Sequence, residues 1–546
     1  MSIYNINSMK DAVMKNILKL LTLIPLTLFG IFTIVSYIKA NPNPYPDSKV
    51  DTEVPTYTEI KLTHEHNYNG EKFLPILASA AIDINNDGVS ELFLGGGENQ
   101  DDVLYVFSNN AFEPHSSIKF PKDNNDATYG SSVVDINNDG LDDLLLARES
   151  GGYIYYNTGN SFKAKKIDLH LNENSRAIAF ALGDLNNDDH IDLYVSAYLT
   201  RTKMEGQNIF NKEGYGGTSV LLLNNGDDSF SDITEPAGMT YVHNTFLGIF
   251  VDMDDDLDLD LVVAHDTGKV KIWKNNGDLT FTDVKTPFSN VYGYPMGIGA
   301  GDYNNNGKID FYFSNVGPTV PKFLAKGDLT DDQVFHTDLM LMENTGNMTF
   351  IDSSKKTMLS DYEFSWGITM ADLNLDGKQD ILISENYVDM PFHKLFKLPG
   401  RMLLQKNDKT FASVESEAGV ENRKYEVASL LADFNGDGYL DQIKVNLAGK
   451  SRAFLSNGGK NKYIKVKLPS TAKMFGSKVT VKLSDGSSLY DWHISGEGLC
   501  SDQEHVLTFG LGESLKATSV SVLIPNGDTL SKQVTSINEL VVFNNE

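Results

Sequence analysis

DINNDGVSE, residues 83–91, is the first of seven copies of one nine-residue phrase. The others are DINNDGLDD (135–143), DLNNDDHID (184–192), DMDDDLDLD (252–260), DYNNNGKID (302–310), DLNLDGKQD (372–380) and DFNGDGYLD (433–441). Acidic or amide side chains stand at positions one, three, five and nine, and most copies have glycine at position six. Oxygen donors at alternate positions of a tight loop suit a hard cation, and Ca2+ takes about six to eight such ligands. The phrase therefore predicts up to seven calcium loops.

The spacing of the phrases predicts the fold. Successive copies start 49 to 70 residues apart, within or just above the roughly 40 to 50 residues of a propeller blade. Each copy separates two apolar runs, as FLGIFV before Asp252 and LVVAH after Asp260. Two more strands with Asn/Gly hairpin turns follow in most repeats, as in LLLNNGDDSFSDI from Leu221. We expect an all-β protein whose main body is a seven-bladed β-propeller with four strands per blade.

The ends of the repeat region set the expected boundaries. The seventh repeat lacks an outer strand, and we predict that TYTEIKLT, Thr56 to Thr63, completes that blade and hides its sheet edge. The propeller then covers residues 56–459, after an extended, proline-containing linker at 41–55. From 460 the phrase stops and alternating strands take over, which predicts a small β-domain at 460–546.

The amino-terminal segment indicates export. Residues 20–38 carry no charge and follow Lys10, Lys15 and Lys19, so a helix here, at about 1.5 Å per residue, would nearly span a bilayer core. We predict a hydrophobic helix within 1–40, either a signal peptide or an uncleaved signal anchor. Ile38, at position minus three of a cleavage site after Ala40, favours the anchor, whereas a start at Met14 would favour cleavage.

The cysteine count and the net charge restrict the cellular compartment and the kinds of partner that we expect. The single cysteine, Cys500, excludes an intrachain disulfide, and export without disulfides fits a bacterial envelope. The protein would then be periplasmic, on the cell surface, membrane-anchored or secreted. The formal charge of -28 argues against a nucleic-acid partner. Seven bound Ca2+ would reduce it to -14, so much of the acidity belongs to the loops.

Together these features resemble two known modules. Over about 400 residues the repeats resemble the FG-GAP or VCBS repeats of integrin-α-type β-propellers. The carboxyl-terminal strands resemble the ASPIC/UnbV module of the cartilage acidic protein family, through FGSKV at Phe475, FGLG at Phe509 and IPNG at Ile524. That family usually has tryptophan where Ile524 stands. The resemblance implies calcium between the first two strands of each blade, held by the side chains at positions one, three, five and nine and by the carbonyl at position seven.

Carried onto this chain, the resemblance gives seven ligand sets. They are Asp83, Asn85, Asp87 and Glu91; Asp135, Asn137, Asp139 and Asp143; Asp184, Asn186, Asp188 and Asp192; Asp252, Asp254, Asp256 and Asp260; Asp302, Asn304, Asn306 and Asp310; Asp372, Asn374, Asp376 and Asp380; and Asp433, Asn435, Asp437 and Asp441. At position six Leu257 tolerates a positive φ poorly, so we expect a different loop at the fourth site. The fifth set has two carboxylates and is expected to bind most weakly.

No catalytic motif stands out. The sequence has no Gly-x-Ser-x-Gly elbow, no phosphate-binding loop and no His-Glu-x-x-His pair. His64 and His66 would offer metal ligands, but a solvated strand is the simpler interpretation. Cys500 has His493 and His505 nearby in sequence only. We therefore assign no catalytic residue, and an enzyme is the less favoured interpretation.

Long insertions indicate where binding occurs. They start at Arg201, Gly317 and Tyr387, each between the second and third strands of a blade, and two of them are locally basic. The first contains Arg201, Lys203 and Lys212, and His393, Lys394, Lys397 and Arg401 lie in or border the last. Strand alternation places them on the face opposite the calcium loops. We expect a non-enzymatic adhesion or recognition protein that binds a protein or glycan ligand there, and a membrane through the amino-terminal segment if this is uncleaved. The alternatives are an enzyme acting on an extracellular polymer at the mouth of the channel, and an envelope assembly scaffold.

Overall fold

The computed structural model describes residues 43–122, 125–204, 216–227, 229–318, 329–330, 332–387 and 397–544, together with residue 30. The predicted amino-terminal helix within 1–40 lies outside these residues, apart from that single position. Across the described ranges, no helix combines the length and the apolar character that crossing a bilayer requires.

Seven four-stranded blades form the propeller that the phrase spacing predicts. A strand β1 (Tyr57–Ile60) precedes them, and the first three blades are β2–β5 (Ser79–Ile82, Glu91–Leu94, Val103–Ser108, Ala111–Pro114), β6–β9 (Thr128–Val134, Asp143–Arg148, Gly151–Asn157, Phe162–Ile167) and β10–β13 (Ser175–Gly183, Asp192–Leu199, Val220–Asn224, Phe230–Asp232). Blades four to six are β14–β17 (Thr245–Val251, Asp260–His265, Val270–Asn275, Phe281–Asp283), β18–β21 (Ile298–Gly301, Asp310–Phe313, Met340–Gly346, Thr349–Asp352) and β22–β25 (Ser365–Ala371, Asp380–Glu385, Arg401–Gln405, Phe411–Ser413).

The seventh blade closes the ring with a strand from the start of the chain. It consists of β26 (Glu426–Ala432), β27 (Asp441–Asn446) and β28 (Arg452–Ser456), with β1 as its outer strand. β1 pairs with β28 in antiparallel register, Tyr57 opposite Ser456, which confirms the predicted completion of this blade. The inner strand of the first blade contacts the inner strands of the second and the seventh. The arrangement is therefore circular.

The remaining strands form a small β-domain of two sheets. Its strands are β29 (Lys462–Lys467), β30 (Lys478–Leu483), β31 (Ser488–Trp492), β32 (Ser501–Asp502), β33 (Val506–Gly512), β34 (Ala517–Leu523), β35 (Thr529–Gln533) and β36 (Glu539–Val542). The sheets β33-β29-β36 and β31-β30-β34-β35 share an apolar cluster that includes Val466, Val481 and Val520. Short helical turns lie at Arg201–Lys203, Glu415–Ala418 and Ala472–Met474.

One segment of the small domain, residues 493–505, fills the centre of the ring, and we call it the plug. Within it, β32 pairs in parallel with β2 of the first blade, and Gly498 bridges to Ile298 and Ile368 of the fifth and sixth blades. Side chains of the plug also accept hydrogen bonds from channel-facing amides: Glu497 from Ala300 and Met370, Asp502 from Val133, and Gln503 from Leu431. The sequence analysis did not foresee the plug.

The small domain lies on the face that carries the nine-residue loops. Lys465 Nζ is 2.6 Å from Asp433 Oδ2, and Lys467 Nζ is 2.8 Å from Asp83 Oδ2. Asn461 donates to the carbonyl of Asn374 at 2.8 Å. The loop face is therefore covered by the domain, whereas the connections between second and third strands emerge on the opposite face.

The closing strand gives a first prediction. Tyr57 is 7% exposed and packs into the apolar cluster shared by the sixth and seventh blades, so Tyr57→Ala should lower the free energy of unfolding by about 3 kcal/mol. Thr58, exposed on the same strand, is the control, and Thr58→Ala should change it by no more than about 0.5 kcal/mol. Urea denaturation of the full chain measures both. Equal effects of the two substitutions would contradict a packed closing strand.

Candidate metal centre

The seven loops share one backbone path. Residues at position four have φ between 55° and 71°, and those at position six between 63° and 94°. Glycine fills position six in five loops because this region is unfavourable for L-residues with a Cβ. Leu257 nevertheless adopts φ 76°. The expectation of a different loop at the fourth site was therefore wrong, since the surrounding contacts impose the same turn on leucine.

The first carboxylate of each phrase holds its own loop together. In every copy its two oxygens accept the backbone N–H groups of positions five and six, at 2.6 to 3.3 Å. The accepting residues are Asp83, Asp135, Asp184, Asp252, Asp302, Asp372 and Asp433. These bonds fold the turn around the first carboxylate, so the other polar side chains of the phrase lie close to it.

The carboxylate at position nine ties three strands of the blade. It starts the second strand, and in most copies it accepts the N–H of position two, just after the first strand. Its other oxygen accepts an N–H at the end of the third strand. The two bonds measure 2.8 Å each at Asp192, from Leu185 and Asn224, and 2.9 Å each at Asp260, from Met253 and Asn275. Position nine is thus a structural residue as well as a predicted ligand.

Burial raises the pKa of these position-nine carboxyls. Desolvation is the largest cause, and nearby carboxylates of the same loop add to it. The pKa rises to about 7 at Glu91, Asp143 and Asp192, and to about 8 at Asp260 and Asp441. The pKa values of Asp310 and Asp380 lie well above the ordinary value for the same reason. A cation beside these groups would favour their ionised form.

The donor set fits a hard divalent cation. Ligand atoms of Asp252, Asp254 and Asp260 lie within 4.8 Å of one another, the one acidic group of this kind among the described residues. Two buried carboxylate oxygens, Asp310 Oδ2 and Asp254 Oδ1, have no hydrogen-bond partner, and a bound cation would satisfy them. The 28 predicted ligands thus lie in seven loops of one backbone path.

Lysines balance part of this charge, a feature that the sequence analysis missed. Lys274 contacts Asp254 and Asp256, and Lys378 Nζ is 2.6 Å from Asp376. Lys465 and Lys467 reach the loops from the small domain. The alternating YIKVKL pattern at 463–468 was the signal, because it places two lysines on one face of a strand.

The insertions occupy the predicted connections. They lie between β11 and β12, β19 and β20, and β23 and β24, although most of their residues, including His393 and Lys394, are outside the described ranges. Arg401 was expected to add basic character to one of them. It is instead 2% exposed and paired with Glu363 and Glu415, at 2.9 and 2.8 Å. This arginine belongs to the core of the sixth blade and does not reach a ligand.

The histidine and cysteine side chains considered for metal binding or catalysis are all buried, namely His64, His66, His493, His505 and Cys500. His64 and His66 are buried, contrary to the solvated strand expected, and desolvation lowers their pKa values to about 4 and about 3. Burial raises the pKa of the Cys500 thiol well above its ordinary value, which leaves the protonated, poorly nucleophilic form.

One serine, histidine and aspartate do lie in a row. His505 Nδ1 is 3.0 Å from Ser470 Oγ, and His505 Nε2 is 3.3 Å from Asp502 Oδ2. Asp142 of the propeller also bonds to Ser470. Through Asp142 the row connects the small domain and its plug to the propeller.

Comparisons with known proteins agree with this geometry. The FG-GAP-like repeat family matches residues 83–146, 135–195 and 252–313, and the ASPIC and UnbV family matches 468–546. Human cartilage acidic protein 1 is 25% identical over 292 residues, which cover 51% of this chain and 40% of that protein. The chain thus matches less than half the length of this curated relative.

Solved structures give more distant matches. BBS1N in complex with ARL6DN is 11% identical, covers 73% of this chain and 97% of its own, and has a TM-score of 0.42. The V. cholerae biofilm matrix protein Bap1 is 12% identical, covers 83% and 99%, and has a TM-score of 0.39. On its family matches, the chain carries FG-GAP-like repeats within a seven-bladed propeller and an ASPIC and UnbV domain after it, and it is similar to cartilage acidic protein 1.

Proposed function

We propose that this chain is an exported, calcium-binding β-propeller that recognises an extracellular or envelope partner without catalysis. One observation carries the proposal: the small domain covers the loop face, so the insertions emerge on the face left open. Loops on a rigid scaffold are where binding residues concentrate. The partner, a protein or a glycan, would bind this insertion face.

Calcium would act as a structural ion in this proposal. The supporting observations are the seven loops of one backbone path, the acidic group at Asp252, Asp254 and Asp260, and the unpartnered oxygens of Asp254 and Asp310. Extracellular calcium modules bind with dissociation constants of about 0.1 to 1 mM, which suits a calcium-rich medium. Similarity to cartilage acidic protein 1 supports an extracellular location, as does the apolar run at 20–38.

The plug limits the room for the enzymatic alternative on the loop face. This alternative required chemistry at the mouth of the central channel, and on the loop face the plug fills that space. Glu497 and Asp502 of the plug are committed to backbone amides of the inner strands. These carboxylates serve packing, so recognition is the function that the geometry favours.

The first prediction of this proposal concerns pH. Without calcium, the raised pKa values of Asp260 and Asp441, about 8 in the folded chain, mean that the folded state holds more protons than the unfolded state between about pH 4 and pH 8. Stability in chelator should therefore fall as the pH rises from about 5 to 8. Calcium binds the ionised carboxylates, so the stabilisation that it adds should grow over the same window.

Melting temperatures of the full chain, measured with chelator and with about 1 mM calcium, test this expectation. Magnesium at the same concentration is the control, since it prefers a smaller, rigid octahedral site. A calcium effect that is absent at all pH values would contradict the metal proposal.

A second prediction separates the structural and metal roles within one loop. In chelator, Asp192→Ala should lower the free energy of unfolding by about 2 to 5 kcal/mol, because it leaves the buried N–H groups of Leu185 and Asn224 without their acceptor. Asp188→Ala, at exposed position five, should change stability in chelator by no more than about 0.5 kcal/mol. Both substitutions should remove one calcium equivalent in titration calorimetry. Full calcium stoichiometry in Asp188→Ala would refute its role as a ligand.

A third prediction tests the binding face by chemical blocking. Cys500 is buried, so a cysteine introduced at an exposed position can be modified selectively with polyethylene glycol. Val334 is 60% exposed in the insertion of the fifth blade, and Ile351 is 41% exposed on the outer strand of the same blade. The adduct at Val334→Cys should abolish binding to protein and glycan arrays in calcium, whereas the adduct at Ile351→Cys should not. Unchanged binding by the Val334 adduct would count against the insertion face.

A further inference from the structure

A basic pocket opens on the insertion face at the seam between the sixth and seventh blades. Its volume is about 340 Å3, and its lining includes Lys397, Arg423, Lys424, Lys450 and Tyr425. Lys397 lies near the end of the connection between β23 and β24, Arg423 to Tyr425 lead into β26, and Lys450 lies in the connection between β27 and β28. All of these segments meet on the face opposite the nine-residue loops.

The charge of this pocket is unlike that of the rest of the chain. The protein has a formal charge of -28, yet the pocket lining holds four basic side chains and one carboxylate, that of Glu65. Arg423 is fixed by Glu421 at 2.5 Å and by the carbonyl of Lys397 at 2.9 Å. Among the described carboxylates, none forms a salt bridge with Lys397, Lys424 or Lys450. Four basic residues therefore line the pocket against the carboxylate of Glu65 and that of Glu59, which lies near Lys424.

The volume of the pocket and the acidic surface around it limit the size and the charge of a ligand. A pocket of about 340 Å3 is at the small end of the volumes that hold small ligands. A long polyanion such as nucleic acid would be repelled by the acidic body, whereas one anionic group inside the pocket is screened from charges beyond about 8 to 10 Å. Tyr425 is partly buried and also lines the pocket, and the backbone at Ala448 and Gly449 adds polar atoms. Cations, an aromatic side chain and backbone polar groups together suit a charged sugar ring.

We propose that this pocket binds one anionic sugar residue of a glycan, with its carboxylate or sulfate held by Lys424, Lys450 and Arg423. The inference rests on the proposed recognition role and names a ligand class for the insertion face. Uronates and sulfated sugars share the anionic group, so the experiment distinguishes them.

Titration calorimetry of the full chain at low ionic strength, with about 1 mM calcium, tests the pocket. The probes are glucuronate, glucose 6-sulfate, neutral glucose and inorganic sulfate. One or both charged sugars should bind at least about 10-fold more tightly than glucose and inorganic sulfate, because a charge-assisted hydrogen bond contributes about 1.5 to 3 kcal/mol. The double variant Lys424→Gln, Lys450→Gln should weaken that binding by at least about 10-fold.

The matched control is the double variant Lys482→Gln, Lys516→Gln, which removes the same charge from exposed positions of the small domain and should bind as the unmodified chain does. Binding of glucuronate alone identifies a uronate, and binding of the sulfated sugar alone identifies a sulfate ester; both outcomes support the proposal. Equal binding of glucose, equal binding of inorganic sulfate, or full binding by the Lys424→Gln, Lys450→Gln variant would overturn it. If the charged sugars fail while blocking Val334 still abolishes array binding, the pocket proposal falls and the recognition role stands. If they bind but blocking Val334 has no effect, the pocket proposal stands and the fifth-blade insertion is not part of the recognition surface.

Discussion

A single buried carboxylate at the end of each nine-residue phrase holds together the first three strands of its blade. At Asp192 and Asp260 its two oxygens take one amide beyond the first strand and another at the end of the third, while the residue itself begins the second. Such a group fixes the relative position of three strands through charge-assisted bonds. It also brings an acid into a desolvated place, which raises its pKa. Lysines of the propeller and of the small domain lie against this concentration of acidic groups.

The small domain contributes two of these lysines and also fills the loop-face end of the channel. Lys465 and Lys467 approach Asp433 and Asp83 at salt-bridge distance, and the plug supplies acceptors for amides that face the channel. Glu497 serves two blades at once, because Ala300 and Met370 donate to the same oxygen. Buried amides need partners, so the plug removes an otherwise costly polar cavity. Its presence closes the channel on the loop face, whereas the small domain does not cover the opposite face.

The fold was predictable because its determinants are local and repeated. The phrase, its spacing and the incomplete seventh repeat led to seven blades and to the closing strand at Tyr57. The plug was not predictable in this way, since residues 493–505 contact strands that are distant in sequence, and periodicity carries no information on such contacts. Arg401 shows the same limit: its position in a basic stretch indicated a surface group, but three glutamates from other segments bury and pair it.

The seam between the sixth and seventh blades lies next to the strand that closes the ring, and the basic pocket opens from this seam on the uncovered face. β1 completes the seventh blade, with Glu59 paired to Arg452 at 2.8 Å, and the chain then passes directly to Glu65 in the lining of the basic pocket. A ligand held there would contact the sixth blade's insertion, the segment leading into β26 and the connection before β28. Because these segments come together only in the closed ring, a ligand that binds them also stabilises closure. Calcium on one face and an anionic ligand on the other would thus both stabilise the closed ring. Calcium would bind at the loop between the first two strands of each blade, and the anionic ligand would bind at the seam between the sixth and seventh blades.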